Sequence, residues 1–528
     1  MKVAALDLGS NSFHLLVVET RPDGSFVPLV REKEMLRLGD VVAAEGRLTD
    51  EALDRAVETV RRFRAIADTN DVDELVAYGT AALREASNGP EATERIESET
   101  GVRVQVVNGI KEAQLVFEAV RASVLMDPAP VCCADLGGGS LELAVGDRHG
   151  LHYATSLHLG VGRLTAELVR SDPPSQKERA RLRRRIEAEL ADVSDDLLAR
   201  DPRQLIGTSG TLCAIARISA ALRDGSVPPS VNQLTVPGED LRALADLVFS
   251  LDVTDRARLP GVDGRRAELL PAGVVVAECL LEATGIDALT TSEWALREGM
   301  VLQALHKHDR ADFGADPRAI RRASVLSLCR RSQWRERHGR SVARLAVDLF
   351  DATIELHHGS EEDRELLELS GLLHDIGEHV SRDGHSRHSA YLIEHGGLRG
   401  FSPEEVRILS CLARYHTRGK PRESFPAYDA LGPEARERVV RLLALLRSAD
   451  GLDVSHADVV GDVSVRLEGD RAVIVAPARG EAELEAWMFH RKRTLFEDVF
   501  GLPAVLELAR VGHDEFEPDR LAEAAGHG

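Results

Sequence analysis

Apolar residues near the start of the chain come in short strand-length runs broken by polar turns, and a helical 3.6-residue rhythm appears only between them. Residues 3–6 and 13–18 flank the turn Asp7-Leu-Gly-Ser-Asn-Ser12 and predict two strands joined by a polar loop. Helical spacing takes over across 50–67, with Thr49 or Asp50 as its N-cap. Residues 75–78 and 102–107 read as short strands, and 111–124 as a helix with one apolar face. A proline-rich break at Asp127-Pro-Ala-Pro130 precedes a restart of the pattern: strand 131–134, the loop Asp135-Leu-Gly-Gly-Gly-Ser140, strand 141–145. One unit, a strand leading through an Asp-x-Gly turn into a second strand, thus occurs twice. That predicts duplicated α/β lobes facing each other across a cleft.

Beyond Asp309 the rhythm is helical over 319–446, and 463–467, 472–475, 481–500 and 504–509 read as strand, strand, helix, strand. The expected organisation is a lobe over 1–126, a second over 127–308, a helical domain over 309–460 and a small α+β module over 461–528. A length of 528 residues fits several cores better than one. Mean hydropathy of −0.17 and the lack of a long apolar run argue against a membrane span. Met1-Lys2 leads straight into a strand, and the six cysteines form no CxxC pair, so a reduced cytoplasm is expected. The formal charge of −21 argues against a broad basic surface for nucleic acid. It describes the whole chain, however, and says little about one cleft. Only seven of the 66 cations are lysine, so arginine, which suits bidentate phosphate contact, dominates.

Three glycine-bearing loops follow apolar strands: Asp7-Leu-Gly-Ser-Asn11, Asp135-Leu-Gly-Gly-Gly-Ser140 and Gly207-Thr-Ser-Gly-Thr211. Such loops turn backbone N–H groups toward an anion, and an Asp at the strand end can hold Mg²⁺ beside phosphate oxygens. Two more carboxylates are candidates for chemistry. Glu112 opens a helix after Asn108-Gly-Ile110, where it either aims into the cleft or merely favours the helix dipole. Glu142 follows the Gly-rich loop on a strand, facing either the cleft or solvent. Patterning alone does not choose.

These loops, together with Gly79-Thr-Ala-Ala-Leu-Arg-Glu-Ala-Ser-Asn88, Gly160-Val-Gly-Arg163 and Arg297-Glu-Gly299, resemble the exopolyphosphatase / guanosine pentaphosphate phosphohydrolase family. The resemblance spans residues 1 to about 305. It implies two actin-like, ribonuclease-H-like lobes and Mg²⁺-dependent removal of a terminal phosphate from inorganic polyphosphate or guanosine pentaphosphate, often by a homodimer. Carried over by position, Glu112 would activate water, while Asp7, Asp135 and Glu142 would hold Mg²⁺ or assist. Ser10, Asn11, Gly138, Gly139, Ser140, Gly210 and Thr211 would cradle phosphate, with Arg84 touching it. Three positions depart from the family: Lys111 and Gln114 beside Glu112, and Leu141 beside the Gly-rich loop. An ammonium at Lys111 would lower the pKa of Glu112 unless it points away.

The helical segment holds ten of the nineteen histidines. His374-Asp375 on an apolar helix resembles the HD metal-dependent phosphohydrolases, which implies metal ligation by His338, His374, Asp375 and Asp450. Imidazole and carboxylate suit Mn, Fe, Zn or Mg. His388 and His416 are candidates for a second metal position, whereas His357, His358, His379, His395 and His456 are expected to be structural. An HD-type phosphohydrolase with a nucleotide-sensing N-terminal region, and a non-catalytic sensor, are the competing readings. Retention of Glu112, Asp135 and Glu142 favours catalysis in the N-terminal cleft.

Overall fold

The computed structural model describes residues 1–20, 26–307 and 317–510. The expected boundary at 308/309 and residues 511–528 of the last module lie outside the described residues. The described chain divides into two compact units, one of residues 1–321 with 399–403, the other of 322–398 with 404 onward.

In the first unit, β1 (Lys2–Leu8), β2 (Ser12–Thr20), β3 (Phe26–Met35), β4 (Glu74–Gly79) and β5 (Val104–Val106) form one sheet in the order β3-β2-β1-β4-β5. The second sheet comprises β6 (Val131–Leu136), β7 (Leu141–Asp147), β8 (Gly150–Leu157), β9 (Gln204–Thr208), β10 (Thr235–Pro237) and β11 (Ala288–Thr291), ordered β10-β11-β9-β6-β7-β8. Apart from the added edge strand β10, the two orders are the same: an antiparallel meander of three strands, then two parallel ones. The repeat seen in the sequence is therefore a repeat of topology.

Strand alternation decides where the carboxylates go. Val3 and Ala5 of β1, Val131 and Cys133 of β6, and Ala144 of β7 share one core with the helices Gly109–Arg121 and Leu296–His306. The opposite parity, Ala4, Leu6 and Leu8, or Cys132, Ala134 and Leu136, packs against the outer layers. Asp7, Asp135 and Glu142 continue the inner parity of β1, β6 and β7. They stand where the core between the sheets opens.

Helix positions follow from caps and glycines. Thr49 caps Asp50–Thr69, its hydroxyl accepting from the Ala52 amide at 3.3 Å. The helix expected from residue 111 begins at Gly109, because the Asn108 side chain accepts from the Lys111 amide at 2.8 Å. The helix expected over 481–500 is two, Glu483–Lys492 and Thr494–Phe500. In Arg297-Glu-Gly299, Glu298 accepts from the Ala295 amide at 3.1 Å, while Gly299 sits where an added Cβ would lie 2.1 Å from the Leu115 carbonyl oxygen.

In the second unit, helix Glu336–Ala352 packs against Glu361–Leu373, and an added Cβ on Gly371 would lie 2.5 Å from the Ala343 Cα. Helices Pro317–Arg331, His385–His395, Pro403–Tyr415 and Pro433–Gly451 are the other long helices of this region among the described residues. Strands β12 (Ser464–Glu468), β13 (Arg471–Ala478) and β14 (Ala504–Arg510) form a small sheet, antiparallel then parallel. Among the described residues no helix is long and apolar enough to cross a membrane.

Gly299→Ala is expected to destabilise the first unit by about 1–3 kcal/mol, since backbone must shift to admit the methyl. Chemical denaturation should show a lower midpoint; an unchanged midpoint contradicts the close approach.

Candidate functional site

A cleft of about 390 Å³ in the first unit brings together all three glycine-bearing loops and the four candidate carboxylates Asp7, Glu112, Asp135 and Glu142. Asp135 and Glu142 lie directly opposite each other on β6 and β7, a pairing that like charges disfavour. Glu142 is buried, and its Oε1 accepts from the Ser156 hydroxyl at 2.8 Å. Glu112 lies one helical turn before Val116 and two before Val120, on the stripe that packs into the inner core. An added Cβ on Gly109 would lie 2.2 Å from the Ser156 Cβ, so this glycine lets the helix approach β8.

Burial pushes all four carboxyls up. It carries Asp135 to about 8, with the Glu142 and Asp7 charges adding to the effect. Asp7 reaches about 6, the Arg297 guanidinium limiting the rise. Glu142 rises through burial and then through Glu112. Glu112 rises through burial even though Arg84 pulls it down. The buried Asp135 Oδ1 has no hydrogen-bond partner.

The loops present donors to this acidic floor. In the Gly-rich loop the carbonyls are occupied: Val161 N–H donates to Gly137 O at 3.0 Å, and Gly162 N–H to Gly138 O at 2.9 Å. The amides of Gly138, Gly139 and Ser140 are left without a backbone acceptor among the described residues. The sequence Gly160-Val-Gly-Arg163 explains itself here. An added Cβ on Gly160 would lie 2.3 Å from the Gly139 carbonyl carbon, and Arg163 donates from Nε to Gly139 O at 3.1 Å while pairing with Glu85. Ser10 accepts from the Ala82 amide at 3.0 Å, and an added Cβ on Gly138 would lie 3.0 Å from the Asn11 Cβ, so the first two loops meet. The third loop opens helix Ser209–Asp224 with Ser209 at φ 72°, its hydroxyl donating to Leu136 O at 2.6 Å. Gly210 and Thr211 thus stand at an open helix N-terminus.

Arg84 does not line the cleft. Its Nη1 donates to Val107 O at 2.8 Å and pairs with Glu112, orienting that carboxylate. The cations lining the cleft are Arg31, Arg266 and Arg297. Arg266 was not legible in the sequence, but the Gly210 it rests on was: an added Cβ there would lie 2.0 Å from an Arg266 nitrogen. Lys111 and Gln114 line a different cavity with Glu118 and His306, and Leu141 belongs to the outer core. None of the three departures faces the carboxylates.

In the second unit three of the four expected histidine ligands, His338, His374 and His416, converge, and His385 joins them in place of His388. His338 and His374 place their Nε2 atoms 3.2 Å apart, with His416 and His385 likewise 3.2 Å apart. Each other ring nitrogen is engaged: His338 Nδ1 with Asp453 at 2.8 Å, His374 Nδ1 with Gly371 O and His416 Nδ1 with Ala413 O at 2.7 Å, His385 Nδ1 with Arg382 O at 3.0 Å. Donation from Nδ1 to a carbonyl, or for His338 to the Asp453 carboxylate, leaves a lone pair on each Nε2, and facing lone pairs suit a metal rather than each other. Asp375 spans the two pairs, Oδ1 lying 3.0 Å from His416 and Oδ2 3.7 Å from His338 and His374. Asp450 stands 3.9 Å from His338 and pairs with Lys492. His338, His374 and Asp450 form one possible ligand group, and His374, Asp375 and His416 another. His388 enters no such group; the ring from its helix that meets His416 is His385. His456, expected to be structural, stacks on His338 at 3.8 Å and joins a group with His338 and Asp375.

Paired ribonuclease-H-like sheets with phosphate-type loops at the strand ends define an actin-like fold with a phosphate-handling cleft. The chain belongs to the Ppx/GppA phosphatase family: residues 17–308 match the family and 320–472 match its domain III. It is 38% identical over 326 residues to Exopolyphosphatase 1 of Mycobacterium leprae, covering 62% of this chain and 94% of that one. Over 416 residues it is 29% identical to the guanosine-5'-triphosphate,3'-diphosphate pyrophosphatase of Aeromonas hydrophila, covering 78% and 79%. The crystal structure of an exopolyphosphatase from Cytophaga hutchinsonii matches with a TM-score of 0.55 at 28% identity, covering 60% of this chain and all of that one.

A carboxyl with a raised native pKa is ionised in the unfolded chain before the folded one. Asp135 therefore subtracts stability as pH rises from its ordinary 3.8 toward about 8. Without divalent cation the melting temperature should fall between about pH 6 and about pH 8, measured by thermal denaturation. An unchanged melting temperature across that range contradicts the raised carboxyl.

Proposed function

We propose that this chain is a phosphoanhydride hydrolase releasing the terminal phosphate of inorganic polyphosphate, or the 5′ γ-phosphate of guanosine pentaphosphate, in the cleft of its first unit. The observation that carries the reading is the joining of four carboxylates, Glu112 and Glu142 buried and Asp7 and Asp135 half-buried, to amide-bearing loops in one cleft. Mg²⁺ fits the site: Asp135 Oδ1 lacks a partner, and crowded carboxylates favour a divalent cation. Asp7, Asp135 and Glu142 would hold it, and when bound it supplies charge to offset that of the phosphate oxygens.

The chain's own residues account for the rest. Amides of the Gly-rich loop and the N-terminus of helix Ser209–Asp224 bind phosphate oxygens and take up charge as it develops. Arg266 and Arg297 meet the anion from the cleft wall. Glu112, its carboxylate held by Arg84 and its affinity for protons increased by burial, orients water and accepts its proton. Water oxygen bonds to the terminal phosphorus as the bridging P–O bond breaks, the electron pair leaving with the shortened chain. Glu112→Gln should lower phosphate release from polyphosphate by about 10²–10⁴-fold with the fold retained by circular dichroism. Release at the wild-type rate would remove Glu112 as the base.

We infer in addition that the second unit binds transition metal. The facing Nε2 atoms and the spanning Asp375 support two positions, one by His338, His374, Asp375 and Asp450, the other by Asp375, His416 and His385. Metal content of the purified chain should drop with His374→Ala and His385→Ala but hold with His388→Ala. An equal loss in all three contradicts the ligand choice.

A further inference from the structure

A cavity of about 770 Å³ in the second unit is lined by residues of 382–387 and 414–418. Its charge is opposite to that of the chain. Arg382, Arg387, Arg414 and Arg418 line it against a single carboxylate, Asp383, in a protein of formal charge −21. None of these arginines pairs with a carboxylate among the described residues, whereas arginines elsewhere on this chain are commonly paired. Arg414 is fixed by stacking, its guanidinium carbon 5.3 Å from the Tyr415 ring centre and 5.9 Å from that of Phe425.

Unpaired guanidinium groups around one concave surface repel one another until an anion bridges them, and their planar forks match phosphate. The size fits a small-molecule ligand. The first turn of helix His385–His395 contributes to the wall and has Gly384 as N-cap, without a capping side chain. His385 belongs to both structures: it lines the cavity, and its Nε2 lies 3.3 Å from Asp375 Oδ1 and 3.2 Å from His416 Nε2. An anion seated among the arginines therefore abuts the His385–His416 end of the cluster.

We propose that this cavity binds the phosphate groups of a phosphorylated small molecule, with one phosphate placed against the His385–His416 end of the metal cluster. The inference builds on the reading that the cluster holds metal, and it adds a second phosphate site, separate from the cleft of the first unit. Phosphate chain and nucleotide share the required chemistry, and the test distinguishes them.

The test uses the full chain with Glu112→Gln, which silences turnover in the cleft, in the presence of Mn²⁺. Inorganic phosphate, tripolyphosphate and a nucleoside 5′-monophosphate are titrated calorimetrically into this protein and into one that also carries Arg382→Ala, Arg387→Ala and Arg418→Ala. These three side chains are exposed, so the melting temperature and Mn content should match. At least one compound should lose about one bound equivalent per chain, or bind about tenfold more weakly, when the arginines are removed. Loss for tripolyphosphate alone assigns a phosphate chain, and loss for the monophosphate assigns a nucleotide. Identical binding of all three compounds to both proteins overturns the proposal. Absence of Mn from both overturns the metal reading alone, since arginine-dependent binding still decides the cavity. If the triple variant lacks a melting transition, Arg387→Gln alone is read in the same way.

Discussion

Four carboxylates share a space that the surrounding chain buries but does not neutralise. Asp7, Asp135 and Glu142 reach it because strand alternation puts them on the same face as the innermost apolar residues, and Glu112 because it shares a helix stripe with Val116 and Val120. Arg84 and Arg297 offset part of the charge, yet all four acids remain shifted toward the protonated form. Leaving several buried acids together is costly unless a cation or protons compensate. Much of the local architecture serves to maintain this arrangement: Gly109 admits the Glu112 helix to β8, Gly299 admits its own helix, Leu296–His306, to Leu115, and Gly160 braces the Gly-rich loop.

The fold and the loops were legible because they depend on local pattern. Strand-length apolar runs, Asp-x-Gly turns and their repetition led to the two lobes, and the structure repeats the strand order in both sheets. The resemblance placed Glu112, Asp135 and Glu142 together, which patterning alone had left open. What was not legible involves side chains meeting across the fold. Whether Glu142 faces solvent depends on helix Gly109–Arg121 packing on that face of β7, and the same approach brings Glu112 to Arg84. Lys111 sits next to Glu112 in sequence but lines a different cavity, because neighbours on a helix point about 100° apart and adjacent residues need not share a face. The sequence reading takes His388, whereas the ring of that helix that meets His416 is His385, one turn earlier.

Net charge was the least informative number. The −21 of the whole chain is a sum over many paired and solvated groups. Where phosphate chemistry is expected the local picture differs: arginines and open amides surround the acidic floor of the cleft, and unpaired arginines surround the cavity beside the histidines. On our reading the two units handle related anions by different means. One uses a carboxylate floor suited to a hard cation, the other imidazoles suited to softer ones.

On this reading the carboxylates of the cleft hold protons until a divalent cation replaces them. The decisive measurement is calorimetric titration of Mg²⁺ into the metal-free chain in buffers of different ionisation enthalpy, on a background of His374→Ala and His385→Ala, which removes a ligand from each position of the second unit. Near pH 7 the account predicts release of about one proton or more per Mg²⁺ bound, diminishing at about pH 9 where the acids are already ionised. Mg²⁺ binding with no proton release at either pH would contradict it.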